Sequence, residues 1–290
     1  MTRGEFRRRI ARPAGELLVA PLALDALSAA LAKRIGFSAV YLGGGGLGFA
    51  RATSEALLTT TEVAEATRAM TERVDIAVVV DGTNGFGDAI HTARAVRMIE
   101  QAGAAAIEIE DQLAPKRAHH HKGHDHIVLL DEMVGKIEAA VEARVDPDFT
   151  IIARCNAIGH DGLDDALERC EAYAAAGADM LLLYPREPAH FEALASRTSL
   201  PLVVMLPTRR SVAELLAGGF TLGVDPFSAT VRSFAAIKAG YDALAAGDLH
   251  QDWDEALAQL EAIGETIDLE RLYRIEARTT ERDYYEDDGA

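Results

Sequence analysis

The sequence predicts a (β/α)8 TIM-type barrel. Eight short β-like runs alternate with amphipathic helical runs over about 230 residues, the pattern expected of such a barrel. Several of those runs are apolar throughout rather than alternating, as strands covered on both faces are. A doubly wound sheet is the alternative. It usually carries a glycine-rich dinucleotide fingerprint at the opening of its first helix, and none is found there.

The strand candidates, in order, are 16–20, 39–43, 77–82, 106–111, 150–157, 180–185, 201–206 and 221–226. Between the third and fourth, "DAIHTARAVRMIEQAG" sets Ala89, Ala93, Val96 and Ile99 on one helical face. Thr59 with Glu62, and Ser211 with Glu214, have the spacing of capping boxes and predict helix starts at those points. In "LDDALERCEAYAAAG", Leu163, Leu167, Cys170 and Ala174 share an apolar face, so Cys170 reads as a core residue. Two further helical runs, 250–264 and 268–280, follow the eighth unit. A barrel does not need them, and they predict packing against a neighbouring subunit. The expected organisation is one barrel domain over 1–290, with a helical extension and tail at 247–290.

The chain has 290 residues, with 29 Lys and Arg against 46 Asp and Glu, a net charge of −17. That balance argues against a nucleic-acid surface, which needs clustered basic residues. No uninterrupted apolar stretch reaches the ~18 residues of a membrane span. The basic start "MTRGEFRRRIARPAGE" lacks the apolar centre of a signal peptide. The expectation is a cytoplasmic protein without membrane or nucleic-acid partners. Two cysteines, Cys155 and Cys170, exclude a disulfide framework and a four-cysteine zinc site.

Barrel active sites lie at the C-terminal ends of the strands. Polar residues gather there from nearly every strand: the "GGGG" turn at 43–46, Asp81 with Thr83 and Asn84, Glu110 with Asp111, Arg154 with Asn156, Tyr184 with Arg186 and Glu187, Thr208 with Arg209, and Asp225. Each taken singly also reads as a helix cap or turn residue. Asp81 ends the most apolar strand, where a carboxylate is costly unless paired or metal-bound. Glu110 stands at the same level one strand along. Two such carboxylates make a hard-cation site for Mg²⁺, with waters completing the shell; Mn²⁺ is the alternative ion. The glycine turn (Gly43, Gly44, Gly45) offers backbone N–H groups to a carboxylate. Arg154 can clamp a carboxylate bidentately. The implied ligand is a small, multiply anionic oxyacid. Strand alternation turns Cys155 outward, away from Arg154 and Asn156.

The segments "VVVDGTNGFGDAIHTARAV", "AGAAAIEIEDQLAPKR" and "DPDFTIIARCNA" resemble the isocitrate lyase/phosphoenolpyruvate mutase superfamily, over roughly residues 15 to 245. The resemblance implies a (β/α)8 barrel, Mg²⁺, 2-oxo or 2-hydroxy acid substrates and an enolate intermediate. It also implies dimers or tetramers that exchange a C-terminal helix, and a gating loop here at 113–127. On that loop Lys116 and Arg117 would bring positive charge to the anion, and His120 aligns with the family's histidine.

The departures are as informative. Lyases of the methylisocitrate type carry a loop cysteine that protonates the departing enolate; this chain has Ala118 there. An Asp-x-Asp pattern becomes Asp81, Gly82, Thr83, with Thr83 entering the metal set beside Asp81 and Glu110. Glu55 stands where the family often has an aspartate. Arg-Thr-Asp becomes Arg154, Cys155, Asn156, and Pro-Glu becomes Pro185, Arg186, Glu187. His120 then reads either as the replacement general acid, as a residue that only orients substrate, or as surface. A zinc or nickel site in the His119–His126 cluster is a further reading. Tyr41 is a supporting residue near the substrate.

The resulting expectation is a Mg²⁺-dependent carbon–carbon lyase acting on a small 2-hydroxy di- or tricarboxylate, of the methylisocitrate or dimethylmalate type. Its catalytic residues would be Arg154, His120 and Lys116. Tyr41, Gly43, Gly44, Gly45, Arg117, Asn156 and Arg186 would bind substrate. The alternatives are a decarboxylase or hydrolase of a 2-oxo acid such as oxaloacetate or phosphonopyruvate, a phosphonomutase, and a non-catalytic binding protein.

Overall fold

The computed structural model describes residues 1–11, 15–185, 187–198, 200–249 and 252–281. Eight strands are present: β1 (Leu18–Ala20), β2 (Ala39–Leu42), β3 (Ala77–Asp81), β4 (Ala106–Glu110), β5 (Thr150–Cys155), β6 (Met180–Leu183), β7 (Leu202–Met205) and β8 (Phe220–Val224). All pair in parallel, each with its sequence neighbour, and β1 pairs with β8. Between β1 and β2 the ring closes through a single parallel bridge, Leu22 to Tyr41. The eight-stranded barrel expected from sequence is therefore the fold.

The helices are α1 (Arg3–Ile10), α2 (Ala26–Ile35), α3 (Gly44–Ala50), α4 (Thr60–Thr71), α5 (Ala89–Gln101), α6 (Leu130–Ala143), α7 (Leu163–Ala175), α8 (Pro188–Arg197), α9 (Val212–Ala217), α10 (Ser228–Ala245), α11 (Trp253–Thr266) and α12 (Leu269–Ala277). The boxes at Thr59/Glu62 and Ser211/Glu214 cap α4 and α9 as expected. On α5 the buried face differs from the expected one. Thr92 and Ala95 join Val96 and Ile99 inside, while Ala89 and Ala93 are only half-buried. The same i, i+3, i+4, i+7 stripe is present, rotated because Thr92 satisfies its hydroxyl on Asp88 O and can be buried.

Helix α1 was not expected. It has the same capping signal, Thr2 with Glu5, and it sends Phe6 and Ile10 into the barrel interior. That interior is lined by alternate strand residues such as Ala77 and Val79, Ile152, and Leu222 and Val224. The other alternates (Val78 and Val80, Ile107 and Ile109, Cys155) face the helical layer. Both cysteines are buried and unbonded.

By contact density the chain divides into two compact units, Met1–Arg232 and Ser233–Ala290. The first contains the whole barrel. In the second, α11 and α12 pack on each other, and Trp253, Leu257 and Leu260 of α11 stay exposed along one stripe. Among the described residues, no helix is long and apolar enough to cross a membrane.

Candidate active site

The period-2 pleat decides which side chains reach the barrel mouth. Asp81 ends β3, Glu108 and Glu110 alternate on β4, and Arg154 follows on β5, paired in register with Glu110. They converge above the apolar interior. Arg154 Nη1 donates to Glu108 Oε1 at 2.9 Å, and its Nε lies 3.4 Å from Glu110 Oε2. Nε also donates to Asn156 Oδ1 at 3.1 Å. Its Nη2 has no partner among the described residues. The ring of Tyr184, at the end of β6, lies under the guanidinium at 5.1 Å.

Tyr41, fully buried on β2, donates its hydroxyl to Glu108 Oε2 at 3.0 Å. Lys116 reaches in from the loop after β4. Its ammonium sits 2.6 Å from Glu110 Oε1 and 3.0 Å from Glu55 Oε1. His120 Nε2 faces the same Glu55 oxygen as an ion pair, and its Nδ1 lies 2.6 Å from the Arg117 carbonyl. The carboxylate beside Nε2 favours the protonated ring. From the neutral Tyr41 hydroxyl, contacts of alternating sign thus run Glu108, Arg154, Glu110, Lys116, Glu55 and on to His120.

Asp81 is held by backbone instead. Its two oxygens accept from Gly44 N at 2.9 Å and Thr83 N at 2.8 Å. Gly44 leaves room for the two acids: a Cβ there would lie 2.8 Å from Glu55 Oε2 and 3.0 Å from Asp81 Oδ2. At Gly82 a Cβ would approach Glu108 O to 2.6 Å. Thr83 has φ +49°, a costly conformation for a β-branched residue, of the kind that gathers at functional sites.

These placements move the acids apart. Burial, then the charge of Glu55, raises the Asp81 carboxyl above its usual range. Burial and the Asp81 charge push Glu108 up to about 7. Burial opposes the charge of Glu110, but Lys116 and Arg154 outweigh it and hold that carboxyl low. Burial works against the His120 cation too, and the bond to Glu55 overrides it, raising the imidazole. Burial and nearby carboxylates lift the Tyr41 phenol far up and Tyr184 to about 12, so both stay protonated donors.

Four carboxylates (Glu55, Asp81, Glu108, Glu110) face two fixed cations (Arg154, Lys116). The donor set is oxygen-only and net negative, which suits a hard cation. Among the described residues, no three His, Cys, Asp or Glu groups stand ready as a cage. Mg²⁺ is held by one or two carboxylates and otherwise by water and ligand oxygens, and Asp81 and Glu110 are the carboxylates that could hold it.

Of the residues expected from sequence, Asp81, Glu110, Arg154, Asn156, Lys116, His120, Tyr41 and the glycine turn come together. Thr83 enters through its backbone, as a brace for Asp81. Gly43 lies against the Tyr41 ring and Gly45 against Phe227. Arg117 is exposed at the turn into the 118–122 segment and does not reach the cluster. Arg186 lies outside the described residues. Asp225 and Thr208 prove to be cap and turn residues, accepting from Ser228 N and Arg210 N. Glu108 was not expected, although "AIEIE" alternation puts it on the inward face with Glu110. His121 bonds Ser54 Oγ at 2.8 Å and stacks on Phe49 at 5.7 Å, so part of the histidine run docks the loop onto the segment after β2.

The barrel gathers its carboxylates and Arg154 at the C-terminal ends of its strands, where enzymes of this fold carry their active sites. Residues 6–245 match the family described as phosphoenolpyruvate phosphomutase. The chain is 44% identical over 170 residues to 2,3-dimethylmalate lyase of Eubacterium barkeri, covering 58% of each chain. It is 38% identical over 250 residues to oxaloacetate decarboxylase of Chromohalobacter salexigens, covering 83% of this chain and 84% of that one. The structure of a phosphonopyruvate hydrolase in complex with oxalate and Mg²⁺ superposes with TM-score 0.84 and 29% identity, over 97% of this chain and all of the other. The chain belongs to the phosphoenolpyruvate phosphomutase family and is an enzyme of the isocitrate lyase/phosphoenolpyruvate mutase superfamily.

Proposed function

We propose that this enzyme is a Mg²⁺-dependent carbon–carbon lyase that cleaves a small 2-hydroxy di- or tricarboxylate through an enolate. The observation that carries the reading is the Arg154 guanidinium, held between Glu108 and Glu110 with Nη2 free, beside an excess of buried carboxylate. Asp81 and Glu110 would hold the ion, with Thr83 bracing Asp81. Once bound, it would polarise the substrate oxygens.

Cleavage removes the proton of the 2-hydroxyl, and the C2–C3 electrons pass into the second acid as an enolate. Glu108, pushed up to about 7, would take that proton. Arg154 offers charge-assisted donors to the developing oxyanion, the kind of contact that contributes most to such steps. The enolate carbon then takes a proton. His120 faces Glu55, which raises its imidazole, and stands in the loop that carries Ala118 in place of the lyase cysteine, so it is the candidate donor. Lys116 adds positive charge on the same side. Asn156 spaces Arg154 from Asp111, and the Gly43–Gly45 turn and Tyr41 border the substrate. The subunits form dimers or tetramers in this reading, supported by the exposed stripe Trp253, Leu257, Leu260. The setting is cytoplasmic.

Ala118 favours one second reading, a decarboxylase of a 2-oxo acid, which needs the same enolate site but no loop cysteine. The long match to an oxaloacetate decarboxylase supports it. Proton NMR with Mg²⁺ and a panel of dimethylmalate, methylisocitrate, oxaloacetate and phosphonopyruvate separates the two. A 2-oxo acid plus a second acid from a hydroxy acid is the expected result. Loss of carbon dioxide alone, from oxaloacetate, would replace the lyase by the decarboxylase.

A further inference from the structure

Asp111 is fully buried beside the barrel mouth, and the chemistry proposed above does not use its carboxylate. It follows Glu110 by one residue, so the pleat turns it away from the ligand and towards α7. There it is a hub. Oδ1 accepts from Asn156 N at 2.9 Å and from Asn156 Nδ2 at 3.2 Å. Oδ2 accepts from the Tyr173 hydroxyl of α7 at 3.0 Å and lies 3.9 Å from Arg169 Nη1. The Asp111 backbone N donates to Arg154 O at 3.2 Å, and its carbonyl accepts from Val128 N at 2.9 Å. Arg169 Nη1 in turn donates to the Val128 carbonyl at 3.0 Å. One buried acid thus holds the chain just past β5 to the helical layer.

Asn156 passes that hold inward. Arg154 Nε can only donate, so the amide oxygen of Asn156 must face it, at 3.1 Å. Nδ2 then faces Asp111 Oδ1 and Glu110 Oε2, each at 3.2 Å. A guanidinium is planar. With Nε held by Asn156 and Nη1 held by Glu108 at 2.9 Å, the plane is fixed, and with it the direction of Nη2. Glu110 also approaches Nε, but at the longer distance of 3.4 Å, and it is shared with Lys116 at 2.6 Å. The orientation of Arg154 therefore depends on an amide whose backbone and side chain both hang from Asp111.

We propose that Asp111 is a positioning residue for Arg154. It acts through Asn156, is braced by Tyr173, and aims the guanidinium at the bound anion. Asn156 in this account orients the arginine and does not itself read the ligand. The inference rests on the proposed function for the anion site at Arg154, and it adds the pair of residues that sets the arginine's direction.

The test is a double-mutant cycle read by the binding of oxalate, a small dianion, to the full-length protein with Mg²⁺ in a calorimeter. Arg154→Met should weaken oxalate about 10- to 100-fold, the scale of losing hydrogen bonds from a charged group. Asp111→Ala and Asn156→Ala should each weaken it about five- to ten-fold, within the range of coupled neighbours. On top of Arg154→Met, both changes should be silent to within about two-fold, because the group they orient is gone. Asp111→Asn keeps an acceptor for Asn156 and should restore most of what Asp111→Ala loses; no restoration overturns the hydrogen-bonded relay. Equal losses with and without Arg154 would make Asp111 a general support of the fold and overturn its positioning role. A loss from Asn156→Ala that persists without Arg154 would make Asn156 a direct ligand contact and overturn the relay. If Asp111→Ala does not fold, Asn156→Ala carries the test, since it leaves Asp111 its Tyr173 and backbone bonds. Full affinity in both alanine variants, with Arg154→Met impaired, overturns the inference while the anion site stands. Failure of oxalate to bind the native protein overturns the proposed function and the inference together.

Discussion

Both ends of the barrel are built from arginines and carboxylates, and they use them in opposite ways. At the N-terminal end, Asp179 accepts from Arg7 at 2.6 Å, Arg144 at 2.6 Å and the Ile151 backbone at 2.9 Å. Arg3 bonds Asp146 at 2.9 Å and two backbone carbonyls, those of Ala104 and Glu100. The Glu100 carboxylate accepts from the backbone of Val145 and Asp146. There each acid has a cation or a backbone donor, and the result ties α1 to the strand ends. At the C-terminal end the acids outnumber the fixed cations, Glu108 is pushed up to about 7, and Arg154 keeps a donor free. A balanced network stabilises. An unbalanced one is costly to bury and leaves capacity for a cation and an anion from outside.

The contrast can be broken by mutation. Arg154→Met should lower kcat/KM on the best substrate of the panel by about 10³-fold, the scale of removing an oxyanion donor, and should cost some stability by leaving Glu108 and Glu110 without it. A loss of stability as large as the loss of activity would make Arg154 a structural residue. Asp179→Ala should do the reverse. Arg7 would lose its carboxylate and Arg144 would keep only the Phe149 carbonyl, which should cost about 3 kcal/mol of stability, with kcat within a factor of two of the native value. His120→Asn sharpens the top end: kcat should fall about ten- to hundred-fold while KM barely moves. A rise in KM alone would reduce His120 to an orienting residue.

The smallest effect is expected at Lys136, a fully buried lysine of α6 whose ammonium has no hydrogen-bond partner. Burial lowers its pKa below 10.5 in the fold. The unfolded chain then holds the proton more tightly. The penalty is complete below the folded pKa and vanishes as pH rises to 10.5, so native stability climbs through that window. Lys136→Met should stabilise the protein near neutral pH by about 1–2 kcal/mol, and the gain should shrink at alkaline pH. Destabilisation at every pH would show that the ammonium has a partner after all.

Much of this was legible in the chain itself. Apolar runs, capping boxes and the regular alternation of elements determine the barrel, because strand burial and helix termination are local properties of side-chain pattern. The same pleat places Asp81, Glu110 and Arg154 at the mouth and turns Cys155 away from it. Even the missed residues had local signals: Thr2 with Glu5 for α1, and alternation for Glu108. What no local pattern carries is which groups meet across the barrel. Glu55 lies 61 residues before Lys116 in sequence, yet one of its oxygens receives both Lys116 and His120. Tyr41 finds Glu108, and Phe227 finds Gly45, only when the ring of strands closes. The charge that each site acid carries depends on those encounters, because burial and neighbouring charge set a pKa. The sequence by itself determined the scaffold and the residue types at its mouth. Only the tertiary structure decided their pairing and their protonation.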